Sequence, residues 1–267
     1  MMHWNGLRQI ELRIKVGVEC FNIGVDGFKL QSRIMTISSD RPKINFYTSP
    51  IGKKIITGIT GLGLSLFVLF HMAGNLTLFA GSEAYNKLAH FLESLGILLY
   101  LVEFILLGLA IFHVVVGINI RLNSYKARPV GYSSQLKSVG EPSKQSISSR
   151  SMLITGAVLL GFLVWHLSTF KFGAYYSTVI DGVEMRDLSS LVIEKFRNPV
   201  YAFGYAGVMV MLGFHLRHGI WSAWQSIGVL NAKISPAVYA IALVLAVLIM
   251  LGFVVLPLSI YFGFIGG

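Results

Sequence analysis

Four histidines fall inside four separate apolar stretches of this chain: His71, His113, His166 and His215. An ionisable ring is uncommon in lipid and as a rule faces a cavity, a partner or a cofactor. A single such histidine is readily explained as a neutral ring hydrogen-bonded to a neighbouring helix. One in each of four consecutive stretches, with none in the fifth, points instead to a shared task. Cys20 is the sole cysteine, which excludes thiolate clusters, disulfide frameworks and the Cys-x-x-Cys-His attachment of covalent haem. A metal cofactor here would be held by histidine. No hydrolytic triad, phosphate loop or nucleotide fingerprint is present.

The elements that must position these rings are membrane helices. The 267 residues are 54 % hydrophobic and 13 % charged, against about 25 % charged in soluble domains, and the mean hydropathy is +0.69. Five continuous apolar runs, at 55–79, 95–120, 152–170, 200–224 and 237–262, each supply the roughly 20 residues that a helix needs to cross the hydrocarbon core. Their continuity excludes a β-barrel, whose strands alternate. The expected fold class is therefore all-α and integral to the membrane, with five transmembrane helices.

The net charge of +10 follows the loops rather than a nucleic-acid-binding face. Arg121, Lys126, Arg128, Lys137, Lys144 and Arg150 stand against Glu141 alone, whereas the stretch from Lys171 to Arg197 balances four bases with four acids. The positive-inside rule places the amino-terminus, the 121–150 loop and the Arg217 to Lys233 turn in the cytoplasm and the carboxyl-terminus outside. Residues 1–50 are expected to be a cytoplasmic segment and 51–267 the membrane domain. Residues 1–34 carry no apolar core long enough for a signal peptide, and Met35 opens a normal lead-in to the first span, so translation is expected to start there.

An internal repeat singles out the histidines. Ile59-Thr60-Gly61 precedes His71 and Ile154-Thr155-Gly156 precedes His166, in both cases with ten residues from glycine to histidine. The second and fourth spans share Phe-His-x-x-x-Gly-Ile around His113 and His215. The chain thus reads as two helical hairpins in tandem plus a fifth helix. His218 lies three residues beyond His215 on the same helix face. The repeat matches His215, not His218, to His113, which leaves His218 and Arg217 as donors to an anionic cofactor edge or as ordinary interfacial side chains. Glycines at 61, 63, 74, 108, 117, 156, 161, 207, 213 and 219 suit either cofactor clearance or close helix packing.

Helical rise converts position to depth. His71 and His166 fall roughly 21–24 Å from the cytoplasmic edge, and His113 and His215 roughly 22–27 Å from the outer edge. Two pairs result, one near each face. Facing histidines suit a metal held axially from both sides, and haem is the large planar group that a four-helix core accommodates. A structural zinc would want four ligands in one place. Haem iron with two histidine ligands has no open position, so it carries electrons. Glu103, the only acid inside a span, lies roughly 12 Å from the outer edge. It is either a proton-handling group or a carboxyl kept neutral by burial. Asn75, four residues beyond His71, either contacts a quinone or haem or makes an interhelical hydrogen bond.

Residues 40–262 resemble the di-haem cytochrome b membrane-anchor subunit of succinate dehydrogenase and fumarate reductase, the five-helix single-anchor type. The resemblance is carried by LFHMAGN at 69–75, SEAYNKLAHFLESLG at 82–96, FHVVVGINI at 112–120, VWH at 164–166 and FHLRHGIWSAWQSIG at 214–228. It implies two non-covalent haem b groups, the distal iron held by His71 and His166 and the proximal iron by His113 and His215. It also implies partners, a flavoprotein (FAD) subunit and an iron–sulfur subunit of complex II. Electrons would pass through this chain to a membrane quinone, expected to be menaquinone, or in reverse for fumarate reduction. The location implied is the bacterial inner membrane. His90 falls in the loop motif and reads as interfacial. The basic 121–150 loop either meets the iron–sulfur subunit or serves topology alone. Other readings are a di-haem cytochrome b of a nitrate reductase or hydrogenase, a transporter with proton-relay histidines, and a purely structural anchor. The last two predict a colourless protein.

Overall fold

A computed structural model describes residues 46–47, 49–127 and 151–266. The expected start at Met35 and most of the basic 121–150 loop lie outside those residues. Among the described residues five helices are long and apolar enough to cross a membrane, Pro50–Ala80, Ile97–Ser124, Met152–Lys171, Pro199–Ile227 and Ser235–Tyr261. The architecture is that of an all-α integral membrane protein. The first helix, α1 (Pro50–Leu76), begins five residues before the apolar run because Ser49 caps it. Gly52 N donates to Ser49 Oγ at 2.9 Å, and Pro50 presets the first turn. A 3-10 turn at Thr77–Ala80 leads through Gly81, at φ 115°, into the amphipathic α2 (Ser82–Ser94). Then follows α3 (Ile97–Lys126).

The second half repeats this plan. Helix α4 (Met152–His166) widens at its end into a π-turn, Leu167–Lys171, in which Phe172 N donates to Leu167 O at 2.9 Å. Strands β1 (Ser177–Ile180) and β2 (Val183–Arg186) form an antiparallel hairpin that pairs Ile180 with Val183. This two-stranded hairpin is the one sheet among the described residues of an otherwise helical chain. Asp181 and Gly182 both have positive φ, the conformation a two-residue hairpin turn requires and Asp-Gly favours. Helix α5 (Leu188–Arg197), α6 (Pro199–Ile227) and α7 (Ser235–Tyr261) complete the chain.

Helix α1 packs on α3 and α6, α4 packs on α6, and α3 and α4 touch only lightly. The four helices therefore form a ring in the order α1, α3, α4, α6, left open along the α3–α4 seam. Helix α7 lies outside the ring against α6 and α1, as the repeat implies for a fifth helix. Small residues draw α7 in: Ala242 and Ala246 are buried among Leu216, Ile220 and Ile249, and a Cβ on Gly252 would collide with the Met72 side chain. The outer surface is apolar, with Ile97, Phe104 and Ile154 among its exposed side chains.

One end of the ring carries α2, the hairpin and α5, and is called the capped end below. The other, which holds the start of α1, is the open end. One polar residue of the SEAYNKLAHFLESLG motif, Asn86, locks the cap to Asp187 and Ser189. Asn86 is buried and donates through Nδ2 to Asp187 Oδ1 at 2.9 Å, while its Oδ1 accepts from Ser189 N at 2.9 Å. Asp187 also caps α5, accepting from Ser190 N at 3.0 Å. Desolvation pushes the Asp187 carboxyl up, but hydrogen bonds from Ser190, Asn86 and Ser189 outweigh it and leave it below the ordinary carboxylate value. A depressed carboxylate stabilises the fold above the unfolded value, about 3.9, and loses that contribution as pH falls through the folded one. Hydrogen-exchange protection of α2 and α5 is therefore expected to hold from neutral pH to about pH 4 and to fall below it. In Asp187→Asn it is expected to be lower at neutral pH and nearly flat.

Candidate functional site

The four histidine rings meet across the diagonals of the ring of helices. At the capped end, His71 of α1 and His166 of α4 have ring centroids 5.6 Å apart and planes at 86°. At the open end, His113 of α3 and His215 of α6 are 6.2 Å apart at 69°. These are the partners that repeat and depth join in the sequence. A metal bound between two imidazoles at about 2 Å from each nitrogen puts the centroids about 6 Å apart. The open-end pair has that separation, and the capped-end pair is somewhat closer.

The Ile-Thr-Gly repeat explains how the open-end rings are held. His113 Nδ1 lies 3.2 Å from Thr57 O and 3.4 Å from Thr60 Oγ1. A carbonyl only accepts, so Nδ1 carries the proton. Thr60 spends its own hydroxyl proton on Ile56 O at 2.8 Å. The second half repeats the arrangement: His215 Nδ1 lies 3.1 Å from Thr155 Oγ1, whose hydroxyl donates to Ser151 O at 3.0 Å. In both rings Nε2 is left as the bare nitrogen, the form in which imidazole binds a metal. The adjacent glycines make room for the rings. A Cβ on Gly61 would stand 3.0 Å from His113 Cε1, and one on Gly156 3.5 Å from His215 Cε1.

These contacts also measure the distance between the two levels. Gly61 sits beside His113 and is ten residues before His71; Gly156 sits beside His215 and is ten before His166. Ten residues of helix rise about 15 Å. Thus the glycine-to-histidine spacing of the repeat separates the pairs by about 15 Å on both helices.

The capped-end pair is held differently. Phe67 and Phe253 flank His71, and Phe162 and Phe170 flank His166. His166 Nδ1 is buried with no hydrogen-bond partner among the described residues. Asn75 Nδ2 donates to His71 O at 2.8 Å and stands 3.4 Å from His71 Nε2, and Asn75 Oδ1 accepts from Tyr85 at 3.1 Å. Burial pushes the Tyr85 phenol up to about 12, against a smaller opposing effect of Arg186, so it stays a donor to Asn75.

Among the described residues no three His, Cys, Asp or Glu side chains converge. Each pair therefore offers a metal two imidazoles, with no third His, Cys, Asp or Glu beside them among the described residues. That donor set fits a metal whose equatorial positions are filled by a macrocycle and does not fit a tetrahedral zinc. The structure also sorts the glycines. Gly63 faces Leu109, Gly74 faces Leu88 and Gly213 faces Met250, whereas Gly108, Gly117, Gly161, Gly207 and Gly219 have nothing within 4 Å of a built Cβ. The first group packs helices. The second makes no such close contact among the described residues, and of it Gly161 and Gly207 are exposed.

The remaining candidates lie apart from the rings. Glu103 pairs with Lys171, at the end of the π-turn that follows His166. It is ten residues before His113 on α3, hence about 15 Å towards the capped end and at the level of the capped-end pair. Arg217 turns to α7, donating to the Tyr239 hydroxyl and lying 5.6 Å over its ring, while its Nε is buried without a partner among the described residues. His218 is half-buried near Trp221, with ring centroids 6.4 Å apart. His90 is half-buried on α2. Sequence reasoning passed over Thr60 and Thr155, although the repeat contains both. It also passed over Lys171, which no local spacing connects to Glu103.

No family model matches the chain, and no solved structure matches it. The chain is similar to the succinate dehydrogenase cytochrome b558 subunit of Bacillus subtilis (strain 168). The two are 25 % identical over 167 residues, which cover 62 % of this chain and 73 % of that protein.

Proposed function

We propose that the chain is the membrane-anchor cytochrome b subunit of a succinate:quinone oxidoreductase or quinol:fumarate reductase. The observation that carries this reading is the two imidazole couples, about 15 Å apart along the bundle, each meeting across a diagonal with ring centroids 5.6 and 6.2 Å apart. The similarity to a succinate dehydrogenase cytochrome subunit supports it. His71 with His166, and His113 with His215, each hold one haem b. Bound there, the two haems supply one-electron carriers at two depths of the membrane.

The protein's own part is to orient and insulate. The threonine seats aim two imidazoles, the phenylalanines around His71 and His166 keep water from the capped-end level, and the apolar outer surface sits in lipid. Lys53, Lys54, Arg121, Lys126 and Lys233 cluster at the open end, while bases and acids alternate at the capped end. The open end therefore faces the cytoplasm, where the iron–sulfur subunit docks and, with the flavoprotein, exchanges electrons with succinate or fumarate. Menaquinone is the quinone proposed. Arg217 and His218, less than one turn beyond His215, are the donors proposed for the propionates of that haem. Arg217 needs a change of rotamer away from Tyr239 to reach it. Asn75 serves the capped-end level.

Glu103 is the group proposed to exchange protons with quinone at the capped-end level, with Lys171 holding its carboxylate in place. Glu103→Gln is expected to slow quinone reduction and flatten its pH profile while the haem spectrum stays intact. Unchanged kinetics with intact haem would remove this role.

The reading itself is tested by reduced-minus-oxidised spectra and haem extraction from the purified protein. Two haem b per chain are expected. His71→Ala and His166→Ala are expected to abolish one spectral component, and His113→Ala and His215→Ala the other. One haem per chain, a colourless protein or crossed losses would overturn it. Co-purification of flavoprotein and iron–sulfur subunits separates it from other quinone-linked cytochromes b.

A further inference from the structure

The geometry points to Thr60 and Thr155 as positioning residues that fix the ring tautomer of His113 and His215 and thereby tune the open-end haem alone. This inference rests on the reading that each imidazole pair holds a haem b. Each threonine has spent its hydroxyl proton on the backbone of its own helix, Thr60 on Ile56 O and Thr155 on Ser151 O. What it presents to the neighbouring helix is a lone pair. The only way a histidine nitrogen 3.1 to 3.4 Å away can use it is to donate. The contact therefore does more than fill space: it selects the tautomer with the proton on Nδ1 and leaves Nε2 free.

The capped-end rings have no such seat. His166 Nδ1 is buried without a partner among the described residues, and the polar neighbour of His71 turns an amide N–H towards Nε2. The two levels differ in chemistry although the sequence repeat makes them look alike. The Ile-Thr-Gly of each hairpin's first helix serves the histidine on its second helix, not the histidine ten residues ahead of it.

An imidazole that donates from Nδ1 to an acceptor is a stronger electron donor through Nε2. Stronger donation favours ferric over ferrous iron. Removing the acceptor should raise the midpoint potential of the haem concerned. The two seats are unequal in strength. His113 keeps Thr57 O at 3.2 Å when Thr60 is lost, whereas Thr155 Oγ1 is the polar contact of the His215 ring.

The test is an optical redox titration with low-spin electron paramagnetic resonance of the purified full-length protein. It compares wild type with Thr60→Val, Thr155→Val and the serine variants. Thr155→Val is expected to raise the midpoint of one haem, the one lost in His215→Ala, and to weaken its retention about tenfold. Thr60→Val is expected to move the same haem less, and serine at either position to restore it. Thr155→Cys, with a weak sulfur acceptor, should fall between serine and valine and stands in if the valine protein does not accumulate. A shift in the haem lost in His166→Ala, equal shifts in both haems, or no shift in folded variants would overturn the proposal and leave the function standing. A wild-type protein without any b-type spectrum would overturn the function and this inference with it.

Discussion

An imidazole ring has two nitrogens, and in a membrane interior each must find a partner within the protein or on a bound group. That requirement organises this bundle. A neutral ring donates from one nitrogen and accepts at the other, so each histidine in lipid needs an acceptor on one side and something electron-poor on the other. At the open end the acceptors are built in as Thr57 O, Thr60 Oγ1 and Thr155 Oγ1. Each ring then keeps Nε2 free of a proton, and the two rings meet across the ring of helices with centroids 6.2 Å apart. The pattern has the form in which a metal-binding histidine is held by a hydrogen bond from its other nitrogen.

Much of the remaining architecture follows from keeping two such pairs in register. The hairpins α1–α3 and α4–α6 each contribute one histidine to each level, so neither pair can form without both hairpins. Helix α7 closes one side, with Ala242 and Ala246 allowing a close approach to α6. The capped end fixes the tops of α1 and α4 through Leu78, Tyr85, Val192, Phe196 and Tyr205, which pack with Leu256 and Ile260 of α7. The polar knot of Asn86, Asp187 and Ser189 ties α2 to α5 above them. Where α3 and α4 barely touch, the Glu103–Lys171 pair joins α3 to the π-turn beyond His166. A π-turn beside a candidate ligand is a common accompaniment of functional sites.

The spans and the histidines were legible because long apolar runs and ionisable rings within them are strong local signals. Span ends were less so. An apolar-run criterion passes over Lys53 and Lys54, whereas Ser49 and Pro50 start α1 before them. The β1–β2 hairpin carries its own signal in Asp181-Gly182, in a loop whose even charge balance gives no sign of strands. Thr60 and Thr155 were visible as repeat residues, but their role lies in a contact between helices 53 and 60 residues apart in sequence. Nothing in a linear pattern shows that the phrase before one histidine serves another. The Glu103–Lys171 pair spans 68 residues, and no spacing rule reaches that far.

The central claim is that the chain holds two metal centres on two imidazole pairs at two depths. An iron-edge anomalous difference map from crystals of the purified protein tests it most directly. The account predicts two iron peaks, one between His71 and His166 and one between His113 and His215, about 15 Å apart along the bundle. A single peak, or iron bound away from these rings, would contradict it.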